Sequence, residues 1–290
     1  MTGAAIPPDD SGLRERVAAI VGRDAVAWQS VSGGYTPAAR WRVDMGGYSL
    51  FVKAATTELT ARMLRSEMRV YESVAAPFLP VYHGGDDDGA APLIVVEDLG
   101  EARWPPPWDD RLVEAVVETL ALVHDCPAPQ GLAPPPAAAA GWRTVAEDPK
   151  PFLALGIATA SWLEACLGDL LSTEAACPTD GSALTHFDVR SDNLCLAGSG
   201  MKLVDWAEAR AGNPALDVGF WLPSLAFEGG PLPERILPDA PEVAAWVAGF
   251  FAARAGLAEI ADAPRVRSVQ RAQLSTALPW AVRALDLPPL

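Results

Sequence analysis

Two neighbouring runs, LTHFDVRSDNLCL at 184–196 and MKLVDWAEA at 201–209, concentrate the most chemically capable side chains of this 290-residue chain. Asp188 follows His186 by two positions, Asn193 follows Asp188 by five, and Asp205 closes an apolar stretch twelve positions later. Phosphoryl transfer needs that inventory: one carboxylate to orient and deprotonate an attacking hydroxyl, plus an Asn and a second Asp whose oxygens hold Mg2+ on nucleotide phosphates. The two acids then have distinct roles. Upstream, Gly33 and Gly34 sit in the turn SGGYTP, where the missing Cβ lets backbone N–H groups approach phosphate oxygens. Lys53, in FVKA, places an ammonium where it can meet the α- and β-phosphates. Its flexible stem needs an anchor, and Glu67 on the following helix is the natural ion-pair partner. Taken singly, the glycines also read as a plain hairpin turn, Lys53 as an edge-strand charge and Glu67 as a solvated helix face. Their common order and spacing join them into one reading.

These residues must be carried by elements of two kinds. Residues 11–22 show helical spacing through Leu13, Val17, Ile20 and Val21 behind a Ser11 cap. AVAWQSVS (25–32), ARWRVD (39–44) and YSLFVKA (48–54) alternate as an antiparallel meander, and helical spacing returns over 57–74. Two more strands, near 78–83 and 92–98, flank the acidic turn GGDDDG, whose Asp86, Asp87 and Asp88 read as a solvated hairpin tip. After Leu99 long helices take over, at 109–125 and about 151–171, separated by a Pro/Ala-rich surface loop at 127–140. A strand-loop-strand unit spans 184–205, and the remainder is helical with proline breaks. The expected architecture is α+β: a small antiparallel β-rich N-terminal lobe over residues 1–98 and a larger, mostly helical lobe over 99–290, with a hinge near Glu97–Glu101.

Composition narrows the partners. Acids outnumber bases 37 to 22, and the net charge of −15 argues against a nucleic-acid surface, which needs clustered Lys and Arg. The acidity is concentrated in the middle third, whereas residues 231–290 balance carboxylates with arginines. No apolar run reaches the roughly 18 residues of a membrane helix, and MTGAAIPPDD lacks the features of a signal peptide, so the expected location is cytoplasmic. Cys126, Cys166, Cys177 and Cys195 match no metal or redox spacing and read as free core thiols. His124 reads as a packed helix-end residue and His83 as a strand-end residue without a role. Of the ten tryptophans, six (Trp142, Trp162, Trp206, Trp221, Trp246, Trp280) fall in the expected C-terminal lobe, some as core and one or two as lining for an acceptor.

At the level of motifs, the chain resembles the aminoglycoside phosphotransferase and choline kinase-like small-molecule kinases, relatives of the protein kinases. The resemblance runs from Val31 to Leu225 through SGGYTPAARW, FVKA, LRSEMRVYE, VVEDLG, LALVH, HFDVRSDN, LVDWAEA and GNPALDVGFW. It implies a bilobal protein-kinase-like fold and a cytoplasmic, Mg2+-dependent kinase that moves the γ-phosphate of ATP or GTP to a hydroxyl of a small molecule, an antibiotic in a resistance enzyme. The alternatives are a nucleotide-binding pseudokinase and a metabolite kinase acting on a sugar or amino-alcohol. By position, the resemblance implies that Lys53 and Glu67 form the ion pair of the nucleotide site and that the Glu97–Leu99 backbone contacts the purine. Asp188 is then the catalytic base, Asn193 and Asp205 hold magnesium, Asp217 braces the catalytic loop and His186 is scaffold.

Three departures stand out. Phe187 replaces the Gly that many antibiotic kinases of this group place between the catalytic-loop His and Asp, and Trp206-Ala207 replaces the Phe-Gly of protein kinases. The stretch from Asp205 to Asp217 is too short for a regulatory loop, which points away from a protein kinase. Arg190 matches the position of the protein-kinase Lys that reaches the transferring phosphoryl group, and its planar fork suits equatorial phosphoryl oxygens. A surface ion pair with Asp192 is its alternative role. Neither the acceptor nor the oligomeric state is written in the sequence.

Overall fold

The computed structural model describes residues 11–34, 36–133, 141–260 and 263–290. The expected Ser11 side-chain cap and residues 134–140 of the expected Pro/Ala-rich loop lie outside the described parts. The chain forms two compact units: the residues up to Trp104 with Leu194–Glu208, and Pro105–Asn193 with Ala209–Leu290.

The first unit is built on a five-stranded antiparallel sheet in the order β1-β2-β3-β5-β4, with β1 Ala27–Ser30, β2 Ala39–Asp44, β3 Ser49–Ala54, β4 Tyr82–Asp86 and β5 Leu93–Glu97. β5 (LIVVE) is buried almost throughout, and Lys53 of β3 stands opposite Ile94 of β5 on one side and Arg40 of β2 on the other. Helix α1 (Ser11–Val21) presses Leu13 and Val17 into a cluster with Trp28, Val43, Leu50, Val52 and Val95. Helix α2 (Glu58–Ser73) starts at a capping box: Thr57 accepts from the Thr60 N–H at 3.2 Å, and Thr60 Oγ1 accepts from the Thr57 N–H at 2.9 Å.

Two expectations need correcting here. The strand placed at 78–83 begins at Tyr82, because Phe78 and Leu79 are buried in a loop and not in the sheet. The acidic turn is not merely solvated. Arg16 pairs with Asp86 and Asp88, fixing α1 to β4, and Arg65 grips Asp87 through two hydrogen bonds of 2.7 and 2.9 Å. That grip holds the Asp87 carboxyl down at about 2.

A hairpin, β7 (Leu194–Ala197) and β8 (Gly200–Leu203), folds with this first unit although it lies far along the chain. Lys202, buried, donates to the carbonyls of Pro77 (2.9 Å) and Leu79 (3.0 Å), and the Leu203 N–H donates to Phe78 O at 2.8 Å. Trp206 follows, fully buried against Phe78, so it belongs to this unit and not among the C-terminal tryptophans.

The second unit is helical apart from the short antiparallel pair β6 (Ala183–Thr185) and β9 (Arg210–Gly212). Its helices are α3 (Asp110–His124), α4 (Gly141–Glu147), α5 (Lys150–Leu153), α6 (Ala160–Ala176), α7 (Pro214–Phe227), α8 (Pro241–Ala255) and α9 (Val266–Ala284). The expected helix 151–171 divides: Gly156 adopts φ +69, and the Thr159 side chain caps a new start. α8 is the hub, packing on α4, α5, α6, α7 and α9. Gly141 and Gly249 let α4 and α8 touch backbone to backbone, where a Cβ on Gly141 would overlap the Gly249 carbonyl. Buried Glu174 on α6 accepts from the N–H groups of Gly141 (2.7 Å) and Trp142 (3.2 Å), capping α4 from another helix. The six tryptophans noted above are all buried.

The four cysteines are free; Cys126 is half-buried and not core, and burial pushes the Cys177 and Cys195 thiols up to about 12. Among the described residues, no helix is long and apolar enough to cross a membrane.

Candidate active site

In the first unit the charged centre is Lys53. Its Nζ lies 2.7 Å from Glu67 Oε2 and 2.9 Å from Asp205 Oδ1. α2 brings Glu67 in, and the turn after β8 brings Asp205 in, with Asp205 in the left-handed region at φ +63. The Trp206 N–H also donates to Glu67, so the hairpin fixes both carboxylates. Burial alone would push the Lys53 ammonium down, but Asp205 and Glu67 together outweigh it and hold its pKa above the ordinary value. Burial raises Glu67, and the contact with Lys53 opposes that rise. The two carboxylates differ in access: the Glu67 side chain is 3% exposed and that of Asp205 34%. Glu67 is therefore an anchor, and Asp205 is open to a ligand.

Gly33 and Gly34 form an exposed turn, with φ +135 and +76. The Arg40 guanidinium lies against Gly34, its Nη2 2.5 Å from where a Cβ would stand, and the left-handed φ of Gly34 favours glycine there. Glu97 and Leu99 lie at the end of β5 and just beyond it. The Glu97 N–H donates to Val81 O (2.8 Å), and the Leu99 carbonyl accepts from the Ala102 N–H (3.0 Å) and Trp104 Nε1 (3.2 Å). Asp98 between them fastens the segment, accepting from Ser49 Oγ (2.5 Å) and Arg42 Nε (2.6 Å).

In the second unit the loop after β6 gathers Asp188, Arg190 and Asn193. Asn193 Nδ2 donates to the Asp188 carbonyl (2.9 Å) and to Asp188 Oδ2 (3.0 Å). Arg190 Nε is 2.9 Å from Asp188 Oδ1 and its Nη2 3.2 Å from Oδ2, while Asp192 is further away at 3.5 Å. Arg190 is nine-tenths buried and pairs with both Asp188 and Asp192.

The loop is braced from α7. The Asn213 side chain caps that helix by accepting from the Ala215 N–H, Pro214 fits its first turn, and Asp217 follows, fully buried. Asp217 Oδ2 accepts from the His186 N–H (2.9 Å) and Oδ1 from the Phe187 N–H (2.7 Å), and His124 Nε2 lies 3.0 Å from Oδ2. His186 is fully buried, with its Nδ1 3.3 Å from the Asp188 N–H, as a scaffold residue would be.

Sequence reasoning missed Glu228, the residue that ends α7. Its Oε1 accepts from Ser191 Oγ at 2.6 Å and its Oε2 from Trp108 Nε1 at 2.8 Å, fastening the middle of the loop after β6. Nothing in local sequence marks a partner 37 positions away. Arg40 was missed as well, although it lies inside the SGGYTPAARW run.

Comparison with known proteins follows the same lines. No curated protein matches the sequence. Among solved structures, the chain is similar to the spectinomycin phosphotransferase APH(9)-Ia in complex with ADP and spectinomycin, at 14% identity and TM-score 0.62, covering 97% of this chain and 100% of that one. It is also similar to a thermostable mutant of the aminoglycoside phosphotransferase APH(4)-Ia, both in the apo form (16% identity, TM-score 0.57, 94% and 98% covered) and in a ternary complex with AMP-PNP and hygromycin B (15%, 0.57, 96% and 98%). These likenesses confirm the α+β, protein-kinase-like fold. A sequence profile of the phosphotransferase enzyme family spans residues 27–268, from β1 to the start of α9, and on that span the chain belongs to this family.

Proposed function

We propose that the protein is a small-molecule kinase that transfers the γ-phosphate of ATP or GTP to a hydroxyl group, with Mg2+. The observation that carries the reading is the Lys53 triad: a buried ammonium with one buried anchor, Glu67, and one accessible partner, Asp205. A pair serving stability alone would not need the second, exposed carboxylate. Residues 1–98 act as the nucleotide-binding lobe, with Asp205 contributed by the later hairpin, and residues 99–290 supply the catalytic loop and the acceptor site.

The family resemblance names Asn193 and Asp205 as the residues that would hold magnesium, and each is chemically suited to it: Asn193 commits its Nδ2 to Asp188 and keeps its Oδ1, and Asp205 carries a part-exposed carboxylate. Both are hard oxygen ligands. Bound there, magnesium would neutralise phosphate charge.

Asp188 then takes the proton of the acceptor hydroxyl, held in position by Asn193 and Arg190. Arg190 pairs with Asp188, and its planar, permanently charged guanidinium suits the equatorial oxygens of a transferring phosphoryl group. Gly33 and Gly34 give backbone access to phosphates. At the end of β5, the Leu99 carbonyl is already engaged, so Leu99 would serve a purine through its N–H and Glu97 through its carbonyl.

Phe187 at φ +62 projects a half-buried ring beside Asp188, 5.1 Å from Phe220, and Arg254 stacks 4.0 Å over neighbouring Phe250. An aromatic wall bearing a cation favours a neutral or anionic acceptor over a polycation. This leaves open both an antibiotic and a metabolite such as a sugar.

The test is incubation with ATP or GTP, Mg2+ and a panel of hydroxylated antibiotics, sugars and amino-alcohols, followed by a mass search for an added phosphate. A phosphorylated small molecule supports the reading. Nucleotide binding with neither hydrolysis nor transfer would instead identify a pseudokinase, and modification of peptides a protein kinase.

A further inference from the structure

We propose that Arg40 is a second phosphate-recognising cation of the nucleotide site, acting beside Lys53 on the polyphosphate of a nucleoside di- or triphosphate. The proposal rests on the kinase reading above and adds to it a residue that the inventory of phosphoryl-transfer groups did not contain. Three independent observations meet at this side chain.

The first is register. Arg40 of β2 stands directly opposite Lys53 of β3 in the antiparallel ladder, and directly opposed residues project from the same face of a sheet. The face that presents the ammonium therefore also presents the guanidinium. The second is its position against the glycine turn. The guanidinium lies on Gly34, where a Cβ would meet it, and Nη1 donates to the carbonyls of Gly33 (3.1 Å), Thr36 (3.4 Å) and Ala38 (2.8 Å), with Thr36 Oγ1 3.4 Å from Nη2. The turn whose backbone N–H groups are free to approach phosphate oxygens thus carries a fixed positive charge.

The third is charge balance. All of those partners are neutral oxygens, and among the described residues Arg40 has no carboxylate partner. Lys53 by contrast is matched against Glu67 and Asp205, so that trio carries one net negative charge and by itself repels a polyphosphate. Arg40 brings the sum to zero. Its planar fork can hold two oxygens of one phosphate at once, which a lysine cannot do. Half-buried, it can keep some carbonyl contacts while offering its outer N–H groups to a ligand.

The competing role is a staple that only shapes its own turn. Isothermal titration with ADP, inorganic tripolyphosphate and adenosine separates the two, on the wild-type protein and on Arg40→Ala, Arg40→Gln and Arg40→Lys. Gln keeps an amide donor for the turn carbonyls and so guards against a folding defect in the Ala variant. Phosphate recognition predicts that Ala and Gln weaken ADP and tripolyphosphate at least tenfold, leave adenosine within twofold, and flatten the salt dependence of ADP binding, with Lys recovering part of the loss. Equal losses for ADP and adenosine would assign Arg40 to the turn alone and overturn the proposal, as would ADP affinity within twofold of wild type in both variants. Wild-type protein that binds none of the three probes would overturn the kinase reading and this proposal together. Wild-type binding of ADP with no effect of Arg40 would remove this proposal only.

Discussion

Replacing Asp188 by Asn keeps a polar group beside Arg190 and Asn193 but removes the ability to take a proton. Turnover should fall roughly 10²–10⁴-fold while nucleotide affinity holds, and steady-state rates with ADP titration check it. Half the wild-type rate or more would reject Asp188 as base. Arg190→Ala should lower turnover and Arg190→Lys should restore part of it; a raised KM for the acceptor with turnover intact would assign Arg190 to an anionic acceptor group instead. Asp217→Ala removes the acceptor of two loop N–H groups from a fully buried position, so it should cost about 3 kcal/mol of stability as well as activity, measurable by denaturant unfolding. Asp188, Asn193 and Asp205 stand out in the sequence as candidates because phosphoryl transfer demands particular side chains at short, ordered intervals. Arg40 and Glu228 do not, because their roles arise from a cross-strand register and from a contact 37 positions apart. Phe187 was visible as a departure, but only its backbone shows that the chain accepts a left-handed conformation there for a ring and not for a glycine.

Among the elements, α4 offers the sharpest test, because its first N–H groups are capped by a carboxylate from α6. Burial lifts Glu174 from 4.5 to about 7. A carboxyl whose folded pKa exceeds its unfolded value stabilises fully below the unfolded pKa, and that contribution is lost as pH rises through the folded one. The loss between pH 4.5 and about 7 has a ceiling of roughly 3 kcal/mol. Glu174→Gln, which keeps an acceptor for Gly141 and Trp142 but does not titrate, should therefore gain in melting temperature relative to wild type at pH 8 over pH 5. Parallel curves for the two proteins would show that the cap is already ionised without penalty. The cap could not be read from the sequence, and neither could α4 itself. The sheet was more legible: β2 and β3 fall within a residue of expectation. The strand expected at 78–83 failed at its start. Phe78 and Leu79 are as apolar as strand residues, but their carbonyls serve Lys202 and Leu203 and not a sheet neighbour.

At the scale of the whole molecule, the net charge of −15 invites the thought of a cationic acceptor, yet local charge steers a ligand more than the total does. With Arg254 over Phe250, which packs on the Phe220 that Phe187 touches, neutral hydroxylated acceptors should show higher kcat/KM than kanamycin-like polycations, and the reverse ranking would overturn that expectation. The interrupted path of the first unit has a consequence of another kind, in the order in which the protein is made. After Trp104 leaves the ribosome, roughly 90 further residues must be synthesised before Leu194–Glu208 follows, an interval of several seconds at about 5–20 residues per second. During that interval the nascent sheet holds Lys53 and Glu67 without Asp205 and leaves the Pro77 and Leu79 carbonyls without Lys202. Ribosome-arrested chains exposing residue 104 but not residue 208 should then be cut rapidly by a probing protease. Resistance should come only once Glu208 has emerged, so the first unit matures late even though almost all of it is translated first.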